Sequence, residues 1–320
     1  MWKRIKQMSM YQNIKVDSVN ISERKGIVKR PVKSIRLTNT GVADDAHQGP
    51  WHRQVSMLGV ESIQKFSRDS AREYAFGDFA ENITTNGMEI FKSGIFDYFR
   101  NEEVEMEVTQ IGKKCHGAGC SIYKEVGNCV MPKEGIFLRV KKEGSLKPGD
   151  VLNYIPRIFK VKIITLSDRA SQGFYEDRSG PRINHLTREF FEKDNRKHEI
   201  ENIIIPDDGS ALTKEIEKGL DTNVDIIFTT GGTGIGPRDI TPDVIKPMLD
   251  KEITGIMELI RVKYGMDKPN ALLSRGVAGV IDKSLVYTMP GSPKAIQEYT
   301  HEIFKTVMHS MQMLHDINAH

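Results

Sequence analysis

The chain has 320 residues, enough for about two domains of ordinary size. Hydrophobic residues account for 38% and charged residues for 28% of it, a balance that is typical of folded globular proteins and excludes a largely disordered chain. A formal net charge of +3 provides no basic footprint for nucleic acid, and no segment approaches the about 20 apolar residues that a bilayer span needs, so we expect neither nucleic-acid nor membrane partners.

The first half of the chain has the pattern of a β-rich domain. Short runs of β-forming residues alternate with Gly and Asn turns, a spacing typical of a barrel or a sandwich. One helix is predicted at residues 58–74. The predicted strands are residues 16–21, 34–39, 104–111, 135–140 and 151–155.

The pattern changes near residue 155, and Pro156-Arg157 is the predicted linker between a domain of residues 1–155 and one of residues 156–320. Strands and helices then alternate, which predicts an α/β three-layer sandwich with a mostly parallel sheet. The predicted strands are residues 161–166, 199–205, 224–229 and 284–288, and the predicted helices are residues 184–193, 211–220, 243–249, 256–264 and 293–314.

A glycine-rich run follows the strand predicted at residues 224–229. It reads Thr230-Gly231-Gly232-Thr233-Gly234-Ile235-Gly236, and Arg238 and Asp239 come just after it. Thr241 is predicted to cap the next helix, with Pro242 as a favourable first helical residue. Glycines between a strand and a helix allow backbone N–H groups to point at an anion. The sequence therefore predicts a phosphate or nucleotide site in this loop.

Aspartates follow the three early strands of the second half. They occur in Ser167-Asp168-Arg169, in Pro206-Asp207-Asp208 and, as Asp239, after the glycine run. In open parallel sheets, ligands bind beyond the carboxyl ends of the strands, so we expect these carboxylates at one rim. Mg²⁺ takes one or two carboxylates together with phosphate oxygens. Such a rim suits phosphoryl-type transfer, which needs positioning and charge neutralisation.

A plainer interpretation stays open for each feature alone. Asp168 or Asp208 would equally serve as the cap of a following helix, and many strand-to-helix crossings carry glycine. The run is not a Walker loop, because no Gly-Lys-Ser/Thr follows it, and it is not the Gly-x-Gly-x-x-Gly of a dinucleotide fold. The signal lies in the combination of blocks.

Five blocks occur in a fixed order. They are Leu166-Ser167-Asp168-Arg169-Ala170-Ser171-Gln172-Gly173, Ile205-Pro206-Asp207-Asp208, Thr230 to Gly234 with Pro237-Arg238-Asp239-Ile240-Thr241-Pro242, Ala271-Leu272-Leu273-Ser274-Arg275, and Met289-Pro290-Gly291-Ser292-Pro293-Lys294-Ala295. Together they resemble the molybdopterin-binding domain shared by molybdopterin adenylyltransferases and their close relatives, over residues 160–316.

The resemblance implies an α/β sandwich, usually a homotrimer, that transfers AMP from ATP onto the terminal phosphate of molybdopterin with Mg²⁺ and releases pyrophosphate. It implies that Asp207 and Asp239 are the catalytic acidic residues and the Mg²⁺ ligands. The other matched positions would hold the phosphates or line the site: Ser167, Asp168, Gly231, Gly232, Thr233, Gly234, Arg238, Ser274, Arg275, Pro290, Gly291 and Ser292.

The three cysteines, Cys115, Cys120 and Cys129, lie close together. An odd number favours reduced thiols and a cytoplasmic protein over a disulfide framework. Three interpretations are open: a zinc site with His116, inert buried thiols, or a reactive Cys115 whose pKa is lowered by the neighbouring basic residues.

Five further blocks occur in order in the first half. They are Gly41-Val42-Ala43-Asp44-Asp45-Ala46-His47, Gly77-Asp78-Phe79-Ala80-Glu81-Asn82-Ile83-Thr84-Thr85, Ile111-Gly112-Lys113-Lys114-Cys115-His116, Cys129-Val130-Met131-Pro132-Lys133-Glu134-Gly135-Ile136-Phe137 and Lys147-Pro148-Gly149-Asp150. Over residues 16–155 they resemble the MOSC domain of molybdenum cofactor sulfurases. The resemblance implies binding of the pterin cofactor, or sulfur transfer through Cys115. Asp45 and His47 are candidate pocket residues, although His47 taken alone is more often an ordinary loop histidine, and Asn82 would equally serve as a turn residue.

The combined hypothesis is a two-domain enzyme of molybdenum cofactor biosynthesis that uses ATP, Mg²⁺ and molybdopterin. A molybdate-insertion protein is a candidate partner, and tethering two modules that handle one ligand raises their effective concentration. Two alternatives stay open: a non-catalytic carrier of the cofactor, and a sulfur-transfer protein whose working residue is Cys115.

Overall fold

The computed structural model of the protein describes residues 12–114 and 129–317. The chain divides into two units, of which the first ends at Arg157 and the second begins at Ile158. Within the described ranges, no helix combines the length and the apolar character that crossing a membrane requires.

Short strands dominate the N-terminal unit, together with helices α1 (Val60–Ser70) and α2 (Met131–Glu134) and a 3₁₀ turn at Ile90–Lys92. The strands are β1 (Gln12–Ile21), β2 (Arg30–Pro31), β3 (Ile35–Thr38), β4 (Gly41–Val42), β5 (Val55–Gly59), β6 (Ile83–Asn86), β7 (Tyr98–Arg100), β8 (Glu105–Ile111), β9 (Ile136–Lys142), β10 (Gly144–Leu146) and β11 (Val151–Ile155).

Seven of these strands close into a barrel in the order β11-β7-β8-β9-β5-β6-β1, and β1 pairs back onto β11. Closure leaves no open sheet edge in this ring, and inward side chains such as Met57, Phe99 and Leu152 form one buried cluster. The prediction of a β-rich barrel or sandwich is therefore resolved as a barrel.

The predicted N-terminal elements match observed ones with shifted ends. Helix α1 is shorter than expected, because Ala71 adopts a left-handed conformation with φ of 52° and its N–H bonds to the carbonyls of Ser67 and Arg68. The short strands β2, β4, β5, β6, β7 and β10 were not predicted.

The C-terminal unit alternates strands with helices. Its strands are β12 (Ile158–Leu166), β13 (Lys197–Ile205), β14 (Ile226–Thr230), β15 (Lys251–Glu252), β16 (Ala278–Ile281) and β17 (Ser284–Met289). Its helices are α3 (Asp168–Ser171), α4 (Ser179–Lys193), α5 (Gly209–Asp221), α6 (Thr241–Ile245), α7 (Thr254–Gly265), α8 (Pro293–Ile303) and α9 (Val307–Leu314), with 3₁₀ turns at Lys246–Met248 and Pro269–Leu273.

The sheet of this unit is mixed, with strand order β13-β12-β14-β17-β16-β15. The first four strands are mutually parallel, but β16 is antiparallel to both of its neighbours. A two-residue turn at Asp282-Lys283 sends β17 straight back along β16, which is why the expectation of a mostly parallel sheet is replaced by a mixed one.

Helices pack on both faces of the sheet. On one face, Phe159 of β12 stacks on Phe191 of α4 with ring centroids 5.1 Å apart. On the other, Ile164 and the α5 residues Leu212 and Ile216 share one buried cluster. The three-layer arrangement follows from strands that are apolar on both sides.

The final helix predicted at residues 293–314 is two helices, α8 and α9. The hydroxyl of Thr306 donates to the carbonyl of Ile303 at 3.1 Å, which competes with the helical pattern at this point. At the break between the two helices, the ring of Phe304 stacks on that of Phe190 of α4, with centroids 4.5 Å apart.

Glu81 is fully buried in the N-terminal unit. Its Oε1 accepts hydrogen bonds from the amide of Gly77 at 2.7 Å and the hydroxyl of Thr84 at 2.9 Å, whereas Oε2 has no partner among the described residues. Burial raises the pKa of Glu81 to about 7, and the hydrogen bonds offset only part of that rise.

This carboxyl group predicts a pH dependence of stability. The native state retains a proton that the unfolded chain releases, so the barrel should lose stability as the pH rises from about 4.5 through about 7. Glu81→Gln removes this loss. The difference in the free energy of unfolding between the wild type and the variant should therefore change by about 3 kcal/mol across that pH range. Denaturant titrations followed by tryptophan fluorescence measure it, since Trp2 and Trp51 both precede Arg157. A difference that stays constant with pH would contradict the prediction.

Candidate functional site

The glycine loop, residues 231–236, leaves the end of β14 in a conformation that other residues rarely adopt. Gly231 has φ of 100° and Gly232 has φ of 61°. A Cβ atom on Gly231 would lie 2.4 Å from the carbonyl oxygen of Leu166, and one on Gly232 would lie 2.7 Å from the hydroxyl of Thr241. The loop therefore depends on glycine at both positions.

The amides of the glycine loop provide the expected anion donors. The N–H groups of Gly232, Thr233 and Gly234 have no acceptor among the residues that the structure describes. Gly231 instead donates to the carbonyl of Met289 at 3.1 Å, which ties the loop to the end of β17. Three consecutive unpaired amides form the kind of backbone cradle that binds phosphate.

Arg275 holds the glycine loop from behind. Its Nε donates to the carbonyl of Gly234 at 2.7 Å, its Nη2 donates to the carbonyl of Asp239, and both Nη atoms contact the carboxylate of Asp243. The guanidinium is thus committed to the protein, so its observed geometry is that of a positioning residue.

A tight turn fixes Asp239. The amide of Asp239 donates to the carbonyl of Gly236 at 3.0 Å, and the amide of Gly236 donates back to Asp239 Oδ2 at 2.8 Å. The hydroxyl of Thr241 donates to the carbonyl of Gly231 at 2.8 Å. Helix α6 begins at Thr241 with Ile240 in the cap position, so the expectation that Thr241 caps this helix is wrong.

Asp168, Asp207 and Asp239 form an acidic rim beside the glycine loop. Asp168 and Asp207 bond reciprocally: the amide of Asp207 donates to Asp168 Oδ1 at 2.9 Å, and the amide of Asp168 donates to Asp207 Oδ2 at 3.3 Å. Arg238 forms ion pairs with both carboxylates, at 3.5 Å from its Nη2 to Asp207 Oδ2.

Burial raises the pKa of Asp207, and the negative charge of Asp239 raises it further. The second effect means that the charge of Asp239 is felt at Asp207. Within residues 12–114 and 129–317, no three His, Cys, Asp or Glu side chains form a ready-made metal cage. The pair fits Mg²⁺ all the same, because this ion takes one or two carboxylates and completes its shell with water and phosphate oxygens.

A cleft of about 460 Å³ opens in front of the glycine loop. Tyr264 and Tyr299 supply aromatic surface, and the Tyr299 hydroxyl donates to Ser274 Oγ at 2.9 Å. Lys268 pairs with Glu298 at the wall of the same cleft. The cleft is lined by Gly232, Thr233, Gly234, Asp239, Tyr264, Lys268, Asn270, Ala271, Leu273, Ser274, Pro290, Gly291, Ser292, Lys294, Ala295, Glu298 and Tyr299.

Most residues singled out from the sequence meet at this cleft or its rim. Some of them have a plain structural role. The side chains of Ser167, Asp208 and Ser292 cap α3, α5 and α8, because each accepts a hydrogen bond from the backbone amide three residues later. Tyr264, Lys268, Glu298 and Tyr299 were missed, because they lie on or after helices with no motif that distinguishes them from surface residues.

The N-terminal unit has a second, smaller cavity of about 110 Å³. His47, Arg53 and Lys113 bring basic side chains to it, and Trp51 and Phe137 bring rings. These five residues are called the anion pocket below. The Arg53 guanidinium lies 4.7 Å from the centre of the Trp51 ring, and its Nε is buried without a partner among the described residues.

Asp45 supports the anion pocket from within. Its carboxylate is paired with the buried Lys29 and accepts from the His47 amide at 3.0 Å and the Ser22 amide at 3.0 Å. Burial would raise the pKa of Asp45, but hydrogen bonds from His47 and Lys29 outweigh that effect and lower it. His47 Nδ1 lies 3.5 Å from Asp45 Oδ1, which orients the ring.

Asn82 has a structural role as well as a place at the cavity. Its Oδ1 accepts from the amide and hydroxyl of Ser56 in β5, and its Nδ2 donates to the carbonyl of Asn20 in β1, so it links these two strands just before β6 begins. Cys115, His116 and Cys120 lie outside the described residues. Cys129 is buried.

Residues 162–310 match the family described as a probable molybdopterin binding domain, and residues 44–153 match the MOSC domain. The molybdopterin adenylyltransferase of Helicobacter pylori is 35% identical over 155 residues, which are 48% of this chain and 86% of that protein. Molybdenum cofactor biosynthesis protein B of Staphylococcus aureus is 34% identical over 163 residues, which are 50% of this chain and 93% of that protein.

Two further relatives match about half of the chain. Gephyrin of Dictyostelium discoideum is 36% identical over 160 residues, 48% of this chain, but the match spans only 22% of gephyrin. The solved structure of the molybdopterin biosynthesis enzyme MoaB of Thermus thermophilus has 32% identity and a TM-score of 0.45, with 49% of this chain and 96% of that chain covered.

The two bacterial relatives are matched over most of their own length, and both resemblances seen in the motifs are confirmed. The chain therefore belongs to the family of molybdenum cofactor biosynthesis proteins built on the molybdopterin-binding domain, and it carries a MOSC domain in its N-terminal half.

Proposed function

We propose that the C-terminal unit transfers AMP from ATP to molybdopterin with Mg²⁺. In this reaction an oxygen of the terminal phosphate of molybdopterin attacks the α-phosphorus of ATP. The bond from that phosphorus to the bridging oxygen breaks, and pyrophosphate leaves. The observation that carries the proposal is the position of Asp239 beside the three unpaired amides of the glycine loop, with Asp207 ion-paired to the adjacent Arg238.

Each part of the site has a function in this proposal. The amides of Gly232, Thr233 and Gly234 bind phosphate oxygens, and Arg275 keeps the loop in place. Asp207 and Asp239 hold Mg²⁺, which neutralises phosphate charge when bound. The cleft beyond the loop, with Tyr264 and Tyr299, receives a flat ring. Little covalent work is left to the protein, since phosphoryl-type transfer depends on positioning and electrostatics.

Pyrophosphate release tests the reaction. Purified protein with molybdopterin, ATP and Mg²⁺ should release pyrophosphate and form adenylylated molybdopterin, and omission of any one of the three should stop both. Pyrophosphate formed without molybdopterin would indicate a simple ATP hydrolase. Binding of molybdopterin without any product would favour the carrier alternative.

For the N-terminal unit, we propose that the anion pocket binds a phosphate group of the pterin cofactor. Three basic side chains converge there, and none of the described residues that line the pocket is acidic. The buried, unpartnered Nε of Arg53 is a donor that a phosphate oxygen would satisfy. We also propose that Cys115 takes part in sulfur transfer by this unit.

Arg53→Gln should weaken binding of molybdopterin to the anion pocket by about tenfold or more, because a charge-assisted hydrogen bond to phosphate is lost. Titration with molybdopterin, followed through the fluorescence of Trp51, measures the change, since this ring lies against the Arg53 guanidinium. Arg36→Gln, on the exposed side of β3, is the matched control and should bind as the wild type does. Equal affinity of all three proteins would contradict a role of Arg53.

We further propose that the C-terminal unit assembles into a homotrimer in the cytoplasm and passes its product to a molybdate-insertion protein. The trimer is supported by an apolar surface on and after α7, where Leu259, Val262, Met266 and Leu272 are all more than half exposed. Such a patch is expected to be covered by a second copy of the chain. Sedimentation equilibrium of the purified protein tests the trimer directly, and a monomer would contradict it.

A further inference from the structure

The carboxylates of the acidic rim differ from Arg238 in how firmly they are held. The carboxylate of Asp168 accepts a hydrogen bond from the backbone amide of Asp207, and the carboxylate of Asp207 accepts one from the backbone amide of Asp168, across the ends of β12 and β13. Asp239 Oδ2 accepts the amide of Gly236 within its own turn. Each of the three carboxylates therefore has a backbone hydrogen bond that does not depend on Arg238.

Arg238 is the movable partner. Its backbone lies within the turn from Gly236 to Asp239, but its side chain is 66% exposed and pairs with Asp168 and Asp207 from the solvent side. An exposed ion pair contributes little to stability, so the guanidinium can leave these carboxylates at little cost. A single guanidinium also leaves three carboxylates incompletely neutralised.

Arg238 and a divalent cation compete for the same charge. Arg238 Nη2 lies 3.5 Å from Oδ2 of Asp207, the carboxylate that would hold Mg²⁺ together with Asp239. A metal ion on Asp207 would meet the positive guanidinium at short range, which is unfavourable unless the side chain turns away. A phosphate bound by the adjacent glycine loop would lie within reach of the long Arg238 side chain.

We propose that Arg238 occupies the carboxylates of Asp168 and Asp207 when no nucleotide is bound, and that it moves onto a phosphate oxygen when the metal arrives together with the nucleotide. Arg238 thus opposes binding of the metal alone and favours binding of the metal–nucleotide complex. This inference rests on the proposed AMP transfer for the location of the metal. It assigns to Arg238 opposite effects on metal affinity in the absence and in the presence of nucleotide.

Binding of Mn²⁺, measured by electron paramagnetic resonance of the free ion, tests the inference without turnover. The nucleotide is α,β-methylene ATP, which cannot be cleaved at the bond that breaks in AMP transfer. Without nucleotide, Arg238→Gln should bind Mn²⁺ about fivefold more tightly than the wild type, because a competing surface ion pair is gone. With nucleotide, the same variant should bind Mn²⁺ about tenfold more weakly, because a charge-assisted hydrogen bond to phosphate is lost.

Two further variants complete the experiment. Arg188→Gln changes an exposed arginine whose Nε contacts Asn184, and it should leave both affinities unchanged. Asp207→Asn should weaken Mn²⁺ binding in both states, which places the ion at the rim. Arg238→Gln that binds Mn²⁺ no more tightly than the wild type without nucleotide overturns the inference. So does a variant whose two affinities shift in the same direction.

The outcomes separate this inference from the proposed function. Opposite shifts in Arg238→Gln support the inference even if no AMP reaches molybdopterin, since the titration involves no chemistry. AMP transfer by a protein in which Arg238→Gln leaves Mn²⁺ binding unaltered would overturn the inference and leave the proposed function intact.

Discussion

Asp239→Asn is expected to lower the rate of AMP transfer by about a thousandfold, the order of loss seen when one electrostatic contact to a transition state is removed. The neutral amide keeps an oxygen that can accept the Gly236 amide, so the turn should persist. What is lost is a negative charge that acts on Asp207 and that, in the proposed function, is needed to bind Mg²⁺. Steady-state rates at saturating ATP measure the effect.

Asp208→Asn is the matched control for this prediction. Asp208 sits at the end of β13 beside Asp207, but its carboxylate accepts the Ala211 amide and caps α5. Asparagine caps helices about as well as aspartate, so we expect this variant to retain the wild-type rate within about twofold. Full activity of Asp239→Asn would exclude Asp239 as a metal ligand.

Gly231→Ala is expected to destabilise the C-terminal unit by about 3 kcal/mol and to abolish the anion cradle. The new methyl group would lie 2.4 Å from the carbonyl oxygen of Leu166, a backbone atom that cannot turn away, and φ of 100° is unfavourable for alanine. Denaturant unfolding followed by circular dichroism at a helical wavelength measures the loss, because most helices belong to this unit.

Gly173→Ala separates the two causes. Gly173 also has positive φ, at 78°, but a Cβ atom there would meet nothing within 4 Å. We expect it to cost only the conformational penalty, about 1 kcal/mol. If both variants lost the same stability, the close approach to Leu166 would not be the reason that position 231 requires glycine.

The sequence predicted those elements that carry a local signal. Strand β14 is a buried run of β-branched and aromatic residues, and Thr230 to Gly236 has the turn chemistry of a strand-to-helix crossing, so both were found. Short strands such as Val55–Gly59 were missed, because their pairing partners, β6 and β9, are distant in the chain. The mixed sheet was missed because the antiparallel strand β16, Ala278–Ile281, was not among the predicted strands.

Prediction of the site was likewise limited by contacts between residues that are distant in the chain. Asp207 and Asp239 were placed together because the ends of parallel strands meet at one edge of a sheet. The three-dimensional contacts of the two arginines were not predictable: Arg275 holds the loop through Gly234 and Asp239, and Arg238 pairs across two strand ends. The same arginine motif permits a contact with phosphate or with protein, and only the fold decides.

Transfer of label from ATP tests the central claim most directly. ATP labelled at the α-phosphorus is incubated with the full-length protein, molybdopterin and Mg²⁺, and the products are separated. We expect the label on molybdopterin, in amounts equal to the pyrophosphate released, and its loss in Asp239→Asn. Label that stays in ATP, or that appears only as free AMP, while molybdopterin remains unmodified would contradict the account.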